Sequence, residues 1–227
     1  MPQPDTAPLV IFDLDGTLVD TSPDLVASLN HTITAEGLEP VTYEDLTHLV
    51  GQGVHMMIRR AYAMHERDLD DATLARLFDR FMAFYLDTMP GDSHPYPGVV
   101  EALDRLAGAG MKLAVCTNKI ESLTFPLLEK LGLGGRFAAI TGGDTYAFRK
   151  PDARHILGTI EKAGGTPARS IMIGDSVNDI AAAQNAAIRS IAVPFGYSDV
   201  PVETLGADRI ITHFDELTPA LIEDLLN

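Results

Sequence analysis

Four acidic side chains stand at the ends of two apolar segments that are far apart in the sequence. Asp13 and Asp15 end the first apolar run of the chain, and Asp175 and Asp179 follow a later one. Two like charges about 4 Å apart repel by about 4 kcal/mol at an effective dielectric constant of about 20. If these carboxylates meet, either some of them are protonated or a divalent cation is bound. An all-oxygen donor set without a nearby cysteine or histidine pair suits Mg²⁺.

Three further polar residues could hold an anion beside such a cation. Thr117 and Asn118 open a predicted helix, where free backbone N–H groups can bind a phosphoryl oxygen, and Lys150 adds a positive charge. Asp13 could then attack phosphorus as a carboxylate nucleophile. Asp15 could protonate the leaving oxygen and later deprotonate the hydrolytic water. The sequence therefore indicates a phosphate site with groups suited to phosphate-ester chemistry.

Elements that alternate along the chain must position these residues. Apolar runs predict strands at Leu9–Leu14, Lys112–Cys116, Phe137–Ile140, Ser170–Ile173, Ser190–Val193 and, at the sheet edge, Arg209–Ile211. Helical patterns lie at Val99–Ala109, Ser122–Leu131, Arg154–Ala163 and Ser176–Ala186. Uniformly apolar strands that alternate with helices predict an α/β fold with a doubly wound, Rossmann-like parallel sheet. Ligands of such sheets bind beyond the carboxyl ends of the strands, where the acidic residues are expected to lie.

The segment between the first strand and Val99 carries helical patterns only. Helices are predicted at about residues 23–36, 43–50, 54–65 and 71–89. About 70 residues are too many for a loop, so we expect a helical cap domain at residues 21–94. It would be inserted into a catalytic α/β core formed by residues 1–20 and 95–227. A lid over the strand ends would exclude water from a site there.

Four residues of the expected cap are candidates for substrate contact. Gly51, Gln52 and Gly53 form either a plain turn between helices or a loop that reaches the substrate. Arg59 is either an exposed helix arginine or a bidentate ligand of a substrate carboxylate.

Composition limits the partners and the compartment. The 227 residues include 17 Lys+Arg and 32 Asp+Glu, which give a formal net charge of −15. This balance argues against nucleic acids and anionic membrane surfaces as partners, but a small phosphorylated metabolite remains compatible with it. The single cysteine, Cys116, and the polar start without a signal-peptide pattern favour a cytoplasmic protein. We expect a monomer or a homodimer.

The polar residues also follow the order of a known set of motifs. The segments Asp13–Asp20, Thr117–Asn118, Lys150–Pro151 and Gly174–Asp179 resemble motifs one to four of the haloacid dehalogenase superfamily. Further segments are similar to those of phosphoglycolate phosphatases: Val50–Gly53, Cys116–Lys119, Gly142–Asp144 and Phe195–Tyr197. The resemblance covers essentially the whole chain, including a helical cap after motif one.

The resemblance implies roles for the residues of the four motifs. Asp13 would be the nucleophile and Asp15 the general acid and base. Mg²⁺ would be bound by Asp13, the backbone carbonyl of Asp15, and Asp175. The residues expected to support this site are Asp179, Gly16 and Ser176. The residues expected to hold the phosphoryl group are Thr117, Asn118 and Lys150.

The implied reaction is the Mg²⁺-dependent hydrolysis of a phosphate monoester, with 2-phosphoglycolate as the expected substrate. Another small phosphate ester, or pyrophosphate, would use the same chemistry. A phosphomutase would instead retain the phosphoryl group. A 2-haloacid dehalogenase would attack carbon without a metal, and both Asp15 and the pair Asp175 and Asp179 argue against it. A non-catalytic binding protein on this fold is opposed by the retention of all four motifs.

Overall fold

The computed structural model describes residues 7–42, 45 and 53–227. The chain forms two compact units, Asp20–His94 and the combined segments Met1–Val19 and Pro95–Asn227. Within the described ranges, every helix is too short or too polar to cross a lipid bilayer.

The larger unit is built on a six-stranded, fully parallel sheet. Its strands are β1 (Leu9–Phe12), β4 (Lys112–Cys116), β5 (Ala139–Thr141), β6 (Ser170–Gly174), β7 (Arg189–Ala192) and β8 (Arg209–Ile210), in the spatial order β5-β4-β1-β6-β7-β8. The strand order reverses direction at β1, which lies between β4 and β6. The predicted doubly wound α/β fold is confirmed. Two short strands, β2 (Val19–Asp20) and β3 (His94–Pro95), form a separate two-stranded sheet.

The register of the central strands places their carboxyl ends side by side. Phe12 of β1 is level with Val115 of β4 and with Ile173 of β6. The polar segments that follow these strands therefore leave the sheet at one edge, which is the edge where parallel α/β sheets bind ligands.

Five α-helices lie within the described residues of this larger unit. They are α4 (Val99–Gly108), α5 (Glu121–Lys130), α6 (Ala153–Lys162), α7 (Val177–Asn185) and α8 (Pro219–Leu226). One face of the sheet, which includes Leu9 and Ile11, forms a buried cluster with Ile156 of α6 and Ala183 of α7. Burial of β1 on both faces explains why its sequence is apolar without alternation.

The smaller unit is helical. Its helices are α1 (Ser22–Ile33), α2 (Val54–Met64) and α3 (Asp71–Thr88), and α1 packs against α3. A 3₁₀ turn at Thr34–Glu36 continues α1, so the helix itself ends earlier than the predicted residue 36. The helix predicted at residues 43–50 lies, apart from Asp45, outside the described residues.

The strand predicted at Phe137–Ile140 begins and ends later in the structure, at Ala139 and Thr141. A 3₁₀ turn at Gly134–Arg136 precedes it. Thr141 can be buried in a strand because its hydroxyl lies 2.6 Å from that of Thr159 on α6. Because its hydroxyl is hydrogen-bonded, Thr141 can belong to the strand although it lies beyond the apolar residues that predict it.

Candidate active site

Three buried aspartates meet beyond the carboxyl ends of β1 and β6. Asp13 directly follows β1, and its backbone N–H donates to the carbonyl of Ile173 at 2.9 Å, which extends the strand pairing by one residue. Asp175 follows β6, and Asp179 lies in the first turn of α7. Carboxylate oxygens of the three residues lie within 4.8 Å of one another.

Lys150 is the cation at the centre of this cluster. Its Nζ lies 2.9 Å from Asp13 Oδ1, 2.6 Å from Asp179 Oδ1 and 2.6 Å from the carbonyl oxygen of Cys116. Burial by itself lowers the pKa of Lys150, but the carboxylates of Asp13 and Asp179 outweigh it and raise that pKa above the ordinary value. Lys150 therefore stays charged near neutral pH.

One ammonium group is too little charge for three carboxylates. Burial, followed by the proximity of Asp179, raises the pKa of Asp13 to about 7. Burial and the neighbouring Asp179 and Asp13 raise the pKa of Asp175 to about 8. With protein groups alone, these carboxyls retain protons near neutral pH because burial disfavours their charged forms and because their charges repel one another. A hard divalent cation could replace those protons, so the donor set fits Mg²⁺.

The carboxylate of Asp175 is oriented by two hydrogen bonds. Thr17 Oγ1 donates to Oδ1 at 2.9 Å, and the backbone N–H of Tyr197 donates to Oδ2 at 2.7 Å. Gly16 has a φ of +81°, and a Cβ atom there would lie 2.6 Å from Asp175 Oδ2. Glycine is therefore needed at position 16 both for its backbone conformation and for its close approach to the aspartate. Sequence reasoning gave no role to Thr17 or Tyr197, although both lie within the segments that resemble the family.

Asp179 is held at both of its carboxylate oxygens. Oδ1 accepts the bond from Lys150, and Oδ2 accepts bonds from the backbone N–H of Ser176 at 3.0 Å and from its hydroxyl at 2.6 Å. These contacts join the start of α7 to Lys150. They suit a residue that fixes the cluster, which is the supporting role expected for Asp179 and Ser176.

Asp15 forms an ion pair with Lys119. Lys119 Nζ lies 3.1 Å from Oδ1 and 3.4 Å from Oδ2 of Asp15. The side chain of Lys119 is only 4% exposed, and that of Asp15 is 18% exposed. The pair joins positions 104 residues apart, so no local pattern in the sequence could reveal it. Sequence reasoning gave Lys119 no partner.

Thr117 and Asn118 lie at the carboxyl end of β4, but they do not open the following helix. The helix α5 begins at Glu121, and the first-turn N–H of Glu121 donates to Asp144 Oδ1 at 2.8 Å. The expectation that Thr117 and Asn118 start this helix is therefore wrong, whereas the helical pattern predicted at Ser122–Leu131 begins within one residue of α5.

Both residues nevertheless form hydrogen bonds with the backbone of the two lysines that contact the aspartates of the site. The Thr117 hydroxyl accepts the backbone N–H of Lys119 at 3.1 Å. Asn118 Nδ2 donates to the carbonyl of Lys150 at 3.0 Å, and its buried Oδ1 has no hydrogen-bond partner among the described residues. Asn118 thus positions Lys150, which carries the positive charge of the site.

The structure describes two of the four residues of the helical unit that are candidates for substrate contact, Arg59 and Gly53. Arg59 Nη2 lies 2.7 Å from Asp71 Oδ1, and the two side chains are 42% and 94% exposed. Gly53 directly precedes α2 with a φ of +85°. Gly51 and Gln52 lie outside the described residues.

Comparison with known proteins relates the whole chain to one family. Residues 10–193 match the family model described as haloacid dehalogenase-like hydrolase. A phosphoglycolate phosphatase of Agrobacterium fabrum is 65% identical over 221 residues, which are 97% of this chain and 95% of the relative. A phosphoglycolate phosphatase of Mesorhizobium japonicum is 49% identical over 219 residues, 96% of each chain.

A solved structure is similar over nearly the full length. The crystal structure of a predicted phosphoglycolate phosphatase from Haemophilus somnus has a TM-score of 0.88 at 29% sequence identity. The match covers 93% of this chain and 96% of the other.

Proposed function

Because the chain belongs to the haloacid dehalogenase-like hydrolase family and is a phosphatase, we propose that it hydrolyses 2-phosphoglycolate with Mg²⁺ through an aspartyl-phosphate on Asp13. The observation that carries the chemistry is the buried cluster of Asp13, Asp175 and Asp179 around Lys150. The choice of substrate is supported by the names of the relatives that are 65% and 49% identical.

The metal site in this proposal uses oxygen ligands only. Asp13 and Asp175 supply carboxylate oxygens, and Asp15 supplies its backbone carbonyl. Bound there, Mg²⁺ would neutralise part of the negative charge of the phosphoryl oxygens and of the carboxylates. Asp179 keeps Lys150 and the start of α7 in place through its bonds to Lys150 and Ser176.

The first chemical step forms a covalent intermediate. The backbone N–H of Leu14 and Lys150 Nζ both contact Asp13 Oδ1, so we assign Oδ2 to the bond with phosphorus. As that bond forms, the ester P–O bond breaks and its electron pair leaves with the glycolate oxygen. Asp15 donates a proton to this oxygen, which avoids the release of an alkoxide.

The second step regenerates the enzyme. The carboxylate of Asp15 takes a proton from a water molecule, whose oxygen bonds to phosphorus. The bond between phosphorus and Asp13 breaks, the aspartate recovers its carboxylate, and inorganic phosphate leaves. Lys150 neutralises charge beside Asp13 throughout both steps. In this proposal, the helical unit Asp20–His94 is a cap domain inserted into the α/β core.

A substrate panel tests the proposed reaction. Values of kcat/KM are compared for 2-phosphoglycolate, glucose 1-phosphate, pyrophosphate and chloroacetate, each with Mg²⁺ and with excess chelator. We expect the highest value for 2-phosphoglycolate and loss of turnover with the chelator. A higher value for pyrophosphate would favour a pyrophosphatase. Formation of glucose 6-phosphate would indicate a mutase, and chloride release a dehalogenase.

A rapid-quench experiment tests the covalent step. Acid quenching during turnover, followed by peptide mass spectrometry, should detect one phosphoryl group on the peptide that contains Asp13. Absence of this adduct during rapid turnover of 2-phosphoglycolate would contradict the intermediate while leaving the phosphatase activity standing.

A further inference from the structure

Lys119 is a buried lysine whose backbone is fixed from several directions. Its N–H donates to Thr117 Oγ1 at 3.1 Å, and its carbonyl accepts the N–H of Gly143 at 2.8 Å. The hydroxyl of Thr124 also donates to that carbonyl, at 3.3 Å. The main chain at position 119 is therefore tied to the end of β4, to α5 and to the segment after β5.

Two glycines allow the segment after β5 to lie directly against the backbone of Asn118 and Lys119. A Cβ atom at position 142 would lie 2.8 Å from the carbonyl oxygen of Lys119, and one at position 143 would overlap the carbonyl of Asn118. Such distances are closer than ordinary van der Waals contact, so only glycine fits. Gly142 and Gly143 belong to a segment that resembles phosphoglycolate phosphatases, but sequence reasoning gave them no role. In the structure they allow the close packing that fixes the backbone of Lys119.

From this fixed backbone, the side chain of Lys119 extends to the carboxylate of Asp15. Nζ contacts both carboxylate oxygens, at 3.1 and 3.4 Å, and the lysine side chain is 4% exposed. Lysine is seldom buried without a partner, because removing its charge from water is costly. The arrangement therefore restricts the orientation of the Asp15 carboxylate more than a contact to an exposed lysine would.

We propose that Lys119 is a positioning residue that holds the carboxyl group of Asp15 in the orientation required for proton transfer to the leaving oxygen. This inference rests on the proposed function, in which Asp15 is the general acid and base. A displacement of about 1 Å in a reacting group can cost about 100-fold in rate, and general acid catalysis contributes about 10²- to 10⁴-fold. Lys119 acts on the reaction through Asp15.

Substrates whose leaving groups differ in basicity distinguish an effect on proton transfer by Asp15 from an effect on substrate binding or folding. An alkoxide needs a proton to depart, whereas nitrophenolate departs without one. Three substrates are compared with Lys119→Met: 2-phosphoglycolate, ethyl phosphate and p-nitrophenyl phosphate. The measured quantity is kcat/KM, which reports the steps up to formation of the aspartyl-phosphate. Lys130→Met, on the exposed surface of α5, is the matched control.

Lys119→Met should lower kcat/KM about 100-fold for 2-phosphoglycolate and ethyl phosphate, and less than about 5-fold for p-nitrophenyl phosphate. Lys130→Met should leave all three values unchanged. In an Asp15→Asn background, adding Lys119→Met should cause little further loss, because residues that act through one another are not additive. Lys119→Arg retains the charge beside Asp15 and should restore part of the activity on the alkyl esters.

Three results would overturn the proposal. An equal loss for all three substrates would mean a general effect of charge or folding. A loss for 2-phosphoglycolate alone would mean that Lys119 binds the carboxylate of the substrate. Full additivity with Asp15→Asn would mean that the two residues act independently. If Lys119→Met does not fold, Lys119→Arg is used in its place. The ratio of its kcat/KM values for the alkyl esters and for p-nitrophenyl phosphate then tests the proposal. A wild-type protein inactive on every phosphate monoester would instead refute the proposed function.

Discussion

At the scale of single residues, the charges of the site are close to balance only when a divalent cation is counted. Asp13, Asp15, Asp175 and Asp179 supply four carboxylates, and the ammonium groups of Lys119 and Lys150 contact three of them, those of Asp15, Asp13 and Asp179. When all are ionised, the sum is 2 − 4 = −2. Burial first, and then the excess of negative charge, raises the pKa values of Asp13 and Asp175, and a bound Mg²⁺ would offset that excess.

Replacement of Asp13 tests the nucleophile. Asp13→Asn should abolish turnover of 2-phosphoglycolate, because an amide cannot form the covalent intermediate. The fold should survive, and without Mg²⁺ the melting temperature should not fall, since the neutral side chain removes repulsion from Asp179. Steady-state kinetics and thermal unfolding measure the two effects. Turnover near the wild-type rate would contradict the assignment.

Replacement of Asp175 tests the metal site. Asp175→Ala removes one proposed ligand and the acceptor of the bonds from Thr17 and Tyr197. The Mg²⁺ concentration for half-maximal activity should rise by more than about 100-fold, since even outer-shell partners of metal ligands are worth about 10- to 100-fold. Asp199→Ala, at an exposed position, is the control. An unchanged Mg²⁺ titration would remove Asp175 from the ligand set.

At the scale of elements, the sequence predicts what is determined locally. The strand β1 is identified by a run of apolar residues, because a strand covered on both faces needs no polar alternation. The helical pattern at Ser122–Leu131 predicts α5 to within one residue, but the hydrogen bond from its first N–H to Asp144, 23 residues away in the sequence, has no local signal. The ion pair of Asp15 with Lys119 has the same origin, since the convergence of distant loops leaves no periodic signal.

The helices α2 and α3 carry a surface ion pair that bears on substrate recognition. Arg59 contacts Asp71, and exposed pairs of this kind are worth about 0–1 kcal/mol. We expect Arg59→Ala to leave the KM for 2-phosphoglycolate within about twofold and to change stability by less than about 1 kcal/mol. Steady-state kinetics and urea unfolding provide the measurement. A large rise in KM would instead make Arg59 a ligand of the substrate carboxylate.

At the scale of the whole molecule, two sets of buried groups give stability opposite dependences on pH. Burial and the nearby charge of Lys150 lower the pKa of His155 to about 4, so its contribution is lost as pH falls from about 6.5 to 4. Asp13 and Asp175 have raised pKa values of about 7 and 8, so the folded state binds their protons more tightly than the unfolded state does. Their contribution is lost as pH rises from 3.8 through those values.

Between pH 6.5 and 8, the pH dependence of the stability of the metal-free protein comes mainly from these two carboxyls, because the pKa change of His155 acts below this range. Without Mg²⁺, the free energy of unfolding should therefore fall between pH 6.5 and 8. Mg²⁺ bound to the folded state adds stability by mass action and competes with these protons. The rise in melting temperature caused by Mg²⁺ should thus be small at pH 6 and larger at pH 8.

Thermal unfolding in chelator and in Mg²⁺ at several pH values measures this difference. Asp175→Asn is the matched variant: it keeps the shape of the side chain but cannot ionise. Its metal-free stability should decline less between pH 6.5 and 8 than that of the wild type. A Mg²⁺-induced shift that is the same at pH 6 and pH 8 would contradict the link. It would mean that the ion binds where no proton has to leave, away from the cluster of Asp13, Asp175 and Asp179.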